Sequence, residues 1–187
     1  IIKTKPFSVM LDVGIRHGGE WDYFSEQLPD VRLVAMEPHK KERDKFLATH
    51  PGAEVYPSAL WSEASKRTLV TSTGLCPSMQ LAGKGQEVEC VTLDWFCDRF
   101  IPDADLFLWI DIEGSELEAF KGGRRMLESG RIPFIYTELR TADKVRSAEW
   151  CVDTDVIEFL AGFGYSVELT QHEESKEHYD ALFVRGA

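Results

Sequence analysis

The stretch Leu108-Trp109-Ile110-Asp111-Ile112-Glu113-Gly114-Ser115-Glu116 carries three carboxylates directly after an apolar run. The run from Leu106 to Ile110 reads as a buried strand, Gly114 as its exit, and a helix begins near Ser115. Alternation along an extended strand places Asp111 and Glu113 on one side. Two acids at the carboxyl end of a buried strand are costly unless they bind something, because each is desolvated and they repel each other. In open α/β sheets that end of the strands is where ligands sit. Glu116 is accounted for by the positive end of the following helix, and that reading also competes for Glu113. It does not extend to Asp111, which lies deeper in the strand. Carboxylates so placed can orient or deprotonate a hydroxyl or hold a cation. Glu138, at the end of a neighbouring strand, could complete an acidic pocket. These three are hard oxygen ligands of the kind divalent metals use, but three acids of unknown geometry define no site, and no metal is expected.

A second group lies upstream. Asp12-Val13-Gly14-Ile15-Arg16-His17-Gly18 falls where a first strand meets a first helix, so backbone can approach a nucleotide-like cofactor at the glycines. It is not the dinucleotide fingerprint, because Arg16 stands where the second glycine would admit a pyrophosphate. Glu37 ends the second strand, 23 residues after Gly14, the place where an acid accepts from ribose hydroxyls. His17 is an alternative base, since its unperturbed pKa lies near neutrality, although a loop histidine is more simply solvent-exposed.

Strands at Ser8–Gly14, Val31–Met36 and Ala53–Ala59 alternate with helical patterns carrying Trp21, Phe24 and Leu28, then Phe46 and Leu47. A loop insertion at about 66–91 follows, with β character at Lys66–Thr71 and Glu87–Val91, after which Thr92 caps a short helix through Phe100. Then come the central strand, a helix from Ser115 to about Ser129 and a strand Pro133–Leu139. Arg140–Trp150 is a charged loop or lid. A helix Asp153–Gly162 and strands Tyr165–Leu169 and Tyr179–Arg185 close the chain as a hairpin. This order predicts a Rossmann-like α/β domain with a mostly parallel seven-stranded sheet. At 187 residues, one domain over 1–187 is the expectation.

The composition narrows the partners. A net charge of −11 with no basic cluster argues against nucleic acid, and Lys40-Lys41-Glu42-Arg43 reads as a solvated helix face. No apolar run approaches the roughly 20 residues of a membrane span. The first residues show no secretory signal pattern, and Cys76, Cys90, Cys97 and Cys151 lack metal or redox spacing. A cytoplasmic protein with reduced thiols is expected.

Asp12-x-Gly14-x-x-x-Gly18, then Glu37-Pro38, Val91-Thr92-Leu93-Asp94, Ile110-Asp111-Ile112-Glu113-Gly114-Ser115-Glu116 and Glu138, in that order, resemble the FkbM family of S-adenosylmethionine-dependent methyltransferases. The resemblance runs from about Val9 to Leu139, and its specific part is the Asp-x-Glu-Gly-x-Glu segment. It implies a class I methyltransferase fold, S-adenosylmethionine as cofactor, and O-methylation of a small-molecule hydroxyl acceptor such as a sugar. Carried over, Asp12, Gly14, Arg16, His17 and Gly18 would line the methionine part of the cofactor and Glu37 the ribose. Ser58 and Ala59 would lie near the adenine. Asp111 would sit near the methyl group, with Glu113 and Glu138 on the acceptor side. The family usually has Ala-Asn where this chain has Ile15-Arg16, so a long cation replaces a polar amide. Two alternatives stand beside this reading: an NAD(P)-dependent Rossmann oxidoreductase, against which the missing glycine counts, and a non-catalytic S-adenosylmethionine-binding module, which the unusual Arg16 would suit.

Overall fold

A computed structural model describes residues 6–15, 18–70, 78–80, 85–144, 150–172 and 178–186, with backbone alone at 78–80 and 172. In chain order these form β1 (Val9–Val13), α1 (Gly19–Gln27), β2 (Arg32–Met36), α2 (Lys40–Thr49), β3 (Val55–Tyr56) and β4 (Ala59–Leu60). Next come β5 (Ser65–Val70), β6 (Ser78–Gln80), β7 (Gln86–Val91), α3 (Leu93–Phe100), β8 (Leu106–Ile110), α4 (Glu116–Lys121) and α5 (Arg124–Ser129). The chain closes with β9 (Phe134–Leu139), α6 (Asp153–Ala161), β10 (Tyr165–His172) and β11 (Tyr179–Arg185).

Seven strands make the main sheet in the order β10-β11-β9-β8-β1-β2-β3. The five from β9 to β3 run parallel, whereas β11 is antiparallel to both β9 and β10. The chain leaves β1 in one direction through β2 and β3, then returns to place β8 on the other side of β1. That reversal opens a crevice at the carboxyl ends of β1 and β8, where α/β sheets bind ligands. Both faces of the sheet are covered, which is why its central strands read as continuous apolar runs. Leu11, Leu108, Ile110, Ile135 and Phe183 share a core with Leu93, Phe96, Phe120, Leu127, Val156 and Leu160 from α3 to α6. On the other face Met10, Phe107, Phe134 and Leu182 meet Phe24 of α1. Cover is thinner there, and a cavity of about 500 Å³ lies between α1 and the stacked rings of Trp109 and Tyr136.

Several expectations need correction. The stretch from Ala53 to Ala59 is not one strand: it splits at Pro57-Ser58, and β4 joins a second sheet in the order β4-β7-β5-β6. Proline has no N–H for a ladder, so it ends β3. The helix expected from Ser115 to Ser129 is two short helices. The break falls at Gly122-Gly123, where a Cβ on Gly122 would lie 2.1 Å from the Trp61 carbonyl oxygen. Close approach of the β4 exit, rather than helix propensity, decides this point. Leu47, expected inward, is exposed, and only Phe46 of α2 is buried. The β character on both sides of the insertion, realised as the antiparallel β5/β7 pair, the terminal hairpin and the Thr92 cap, whose Oγ1 accepts from Trp95 N at 3.1 Å, are as predicted.

Candidate active site

The end of β1 supplies Asp12 and Gly14. Asp12 is buried at the last ladder position but one, and its Oδ2 has no hydrogen-bond partner among the described residues. Burial pushes this carboxyl well up, and the charges of Glu20, Asp111 and Glu37 push it further. Gly14 has φ +97°, and a Cβ there would fall 2.0 Å from the Asp111 carbonyl oxygen. The glycine is therefore required by contact between the β1 and β8 exits as well as by its backbone conformation. Gly18, with φ +73°, precedes α1, and a Cβ on it would strike the Phe46 ring at 2.6 Å. Arg16 and His17 lie outside the described residues.

Glu37 follows β2 and is buried; its Oε1 accepts from His39 N at 2.7 Å. Arg43 donates to the carbonyls of Glu37 and Pro38 at 2.8 and 3.2 Å, so this residue anchors the turn after β2 instead of belonging to a solvated face. Ser58 is half-buried between β3 and β4, while Ala59 is buried in β4 opposite Cys90, in the small-sheet core with Trp61, Leu69 and Val88.

Asp111 follows β8, held by its N–H to the Val13 carbonyl at 3.0 Å. Its Oδ1 is buried with no hydrogen-bond partner among the described residues. Burial raises its proton affinity well above the ordinary range, with Glu138, Glu113 and Glu116 adding to the effect and Arg140 opposing it. The expected alternation does not reach Glu113. That residue has φ +57° and the following Gly114 has φ +95°, so the chain turns instead of continuing extended. Glu113 swings to Arg140, whose Nη2 donates to Glu113 Oε2 at 2.9 Å and also pairs with Glu138 Oε1. His178 Nε2 meets the other Glu138 oxygen at 3.2 Å.

Glu116 is more than a charge at a helix end. It is fully buried, and its Oε1 accepts from Ile112 N at 3.0 Å and Gly114 N at 3.2 Å, tying down the turn. Cys151 Sγ lies 3.4 Å from its other oxygen. Arg140 and Trp150, the ends of the stretch expected as a charged loop or lid, belong to this cluster. Arg140 is buried at the end of β9, and its guanidinium sits 4.8 Å from the Trp150 ring centre. Trp150 in turn fills the space over Gly114, where a Cβ would meet its ring at 2.6 Å. The one signal in the sequence was an arginine abutting an apolar strand that already ended in an acid.

Glu138 Oε1 has only its ion pair with Arg140, and among the described residues the buried Asp12 Oδ2 and Asp111 Oδ1, at the ends of β1 and β8, have neither hydrogen bond nor ion pair. They require donors or positive charge, and a ligand carrying an ammonium, ribose hydroxyls and a sulfonium offers both. The donor set fits S-adenosylmethionine.

The sheet order, the crevice and its acids define a Rossmann-like class I methyltransferase. The methyltransferase FkbM domain matches residues 12–167, and the chain belongs to that family of S-adenosylmethionine-dependent methyltransferases. Among solved structures it is similar to a precorrin-6y C5,15-methyltransferase from Geobacter metallireducens, at 16% identity and a TM-score of 0.52, covering 98% of this chain and 83% of that one. It is also similar to the N-methyltransferase NodS from Bradyrhizobium japonicum, at 10% identity and a TM-score of 0.54 over 100% and 90%. A third is magnesium protoporphyrin IX methyltransferase from Synechocystis, at 11% identity and a TM-score of 0.53 over 99% and 73%. At these identities the likenesses concern the fold. No protein of curated function matches the chain. Family membership sets aside the nicotinamide oxidoreductase alternative. No helix among the described residues is long and apolar enough to cross a membrane.

Proposed function

We propose that the chain methylates a hydroxyl oxygen of a small-molecule acceptor, a sugar among the candidates, with Asp111 taking the hydroxyl proton. The observation that carries this reading is the buried Oδ1 of Asp111 at the end of β8, which has no hydrogen-bond partner among the described residues. A neutral amine attacks without prior deprotonation, whereas a hydroxyl is a poor nucleophile until its proton has somewhere to go. A carboxylate whose proton affinity is raised by burial is matched to that task. When bound, the cofactor supplies a sulfonium-activated methyl group. Asp12 and the Gly14–Gly18 loop, with Arg16 and His17, hold its methionine end in this reading, Glu37 the ribose, and Ser58 and Ala59 the adenine side. With the cofactor bound, the acceptor oxygen would take the methyl group as the sulfonium is released as a neutral thioether, and Asp111 Oδ1 would receive the hydroxyl proton. The ionised carboxylate also favours the cationic donor over its neutral product. One domain carries the reaction, with an insertion in it at about 66–91.

The test uses isotope-labelled S-adenosylmethionine against a panel of monosaccharides, polyols and hydroxylated aromatics. Label that enters a hydroxyl acceptor and survives mild alkali, as an ether does and an ester does not, is the expected result. Asp111→Asn should lower that rate by about 10²–10⁴-fold while S-adenosylhomocysteine still binds. Full turnover by this variant, or label entering amines alone, overturns the reading. Cofactor binding with no transfer across the panel would favour a binding module.

A further inference from the structure

We infer that Arg140 is a positioning residue: by holding both Glu113 and Glu138 it leaves Asp111, among the described residues, as the acid of the cluster with a carboxylate oxygen in neither an ion pair nor a hydrogen bond. The inference rests on the reading of Asp111 as proton acceptor. Three acids converge after β8 and β9, and the sequence alone does not say which of them are paired. The structure separates them. Glu113 Oε2 accepts from Arg140 Nη2 at 2.9 Å, Glu138 is paired with the same nitrogen and with His178, and Asp111 Oδ1 has no partner among the described residues.

Arg140 is held in place by more than its charges. Its carbonyl accepts from Asp153 N at 2.8 Å, its guanidinium lies over Trp150, and the residue after that tryptophan donates its N–H to the Gly114 carbonyl at 2.9 Å. Arg140, Trp150 and the Glu113-Gly114 turn therefore form one closed unit, and the left-handed φ of Glu113 carries its carboxylate to the arginine. A side chain in that conformation is strained, and the ion pair is what the strain accompanies.

The groups facing this unit are Asp111, Glu113 and Glu116 from the β8–α4 segment, Glu138 from β9, Cys151 before α6, and His178 and Asp180 at β11. All but His178 are acidic or neutral, so Arg140 supplies the permanent positive charge of the cluster among the described residues. With it present, burial and neighbouring acids raise the affinity of Glu138 for a proton while Arg140 opposes them. The opposition is strongest where the pairing is direct, which leaves the proton to Asp111.

The experiment measures the carboxyl signal of Asp111 by carbon NMR in aspartate-labelled protein across pH, the signal being assigned by its loss in Asp111→Asn. Arg140→Met keeps an apolar stem over Trp150 and removes the charge. Its Asp111 midpoint should move up by about one pH unit or more, a tenfold tighter hold on the proton, and Arg140→Lys should restore most of the difference. As a second readout, the preference for S-adenosylmethionine over S-adenosylhomocysteine should begin to fall at correspondingly higher pH in Arg140→Met. If that variant does not fold, Glu138→Gln serves: loss of a like charge should move the midpoint down. An Asp111 midpoint unmoved by both changes overturns the inference. Failure of Asp111→Asn to impair turnover instead overturns the underlying reading, so the two failures are distinguishable.

Discussion

The chemistry of the site is a matter of which carboxylates are left unsatisfied. Asp12 and Asp111 each keep a buried oxygen without a hydrogen-bond partner among the described residues, and both hold protons more tightly than ordinary aspartates. A folded-state carboxyl raised above its unfolded value binds more protons in the native state, so stability falls as pH rises through the window between the two values. For Asp111 the window opens at the ordinary aspartate value near 4 and extends upward to the raised folded value. Asp111→Asn removes the cost of burying the charge. The variant is therefore expected to melt at higher temperature than the parent at pH 8, with the difference shrinking toward pH 4, where both side chains are neutral. Ligand-free thermal unfolding at the two pH values checks this, and a variant less stable at pH 8 would show that the Asp111 carboxylate is stabilised in the fold and carries no burial cost. Such a gain on removing a functional group is the expected signature of a site built for a ligand.

Elements position these groups by close backbone approach. Gly14 and Gly52 both have φ near +97°, but a Cβ on Gly14 would meet the Asp111 carbonyl at 2.0 Å whereas one on Gly52 meets nothing within 4 Å. Alanine at Gly52 should cost about 1–2 kcal/mol, the penalty of the left-handed conformation alone. Alanine at Gly14 should cost several kcal/mol, because either β1 or β8 must shift, and cofactor affinity should fall with it. Chemical denaturation of the matched pair separates backbone strain from crowding; equal losses would contradict the close approach. Thr92→Ala at the α3 cap should cost about 1 kcal/mol without affecting the crevice.

Across the whole molecule stability is unevenly distributed. The main sheet is covered on both faces, while the β4-β7-β5-β6 sheet rests on a cluster of Ala59, Trp61, Leu69, Val88 and Cys90, with Arg67 over Trp61 at 4.0 Å. Fewer buried contacts mean a lower free energy of local opening. Native-state hydrogen exchange should show amides of β5 and β7 opening well before those of β1 and β8, and equal protection would show the two sheets to be one cooperative unit. S-adenosylhomocysteine at about 100 times its dissociation constant should raise global stability by about 2.7 kcal/mol, and the gain should appear in β1 and β8 first.

The sequence alone determined the strand and helix order of the main sheet, the terminal hairpin, the Thr92 cap and the acids gathered at the strand ends. All of these follow from local pattern: apolar runs, glycine and proline positions, and a capping hydroxyl. It pointed to Asp12, Glu37, Asp111 and Glu138 because strand ends can be located by counting. It could not separate Glu113 from Asp111, since a left-handed turn at Glu113 depends on Glu116 and on Trp150 packing over Gly114. Nor could it find Arg140, whose importance comes from two acids brought to it by different strands. Pairing, burial and which of the gathered carboxylates is left without a partner are properties of contacts between distant residues, and only the tertiary structure decides them.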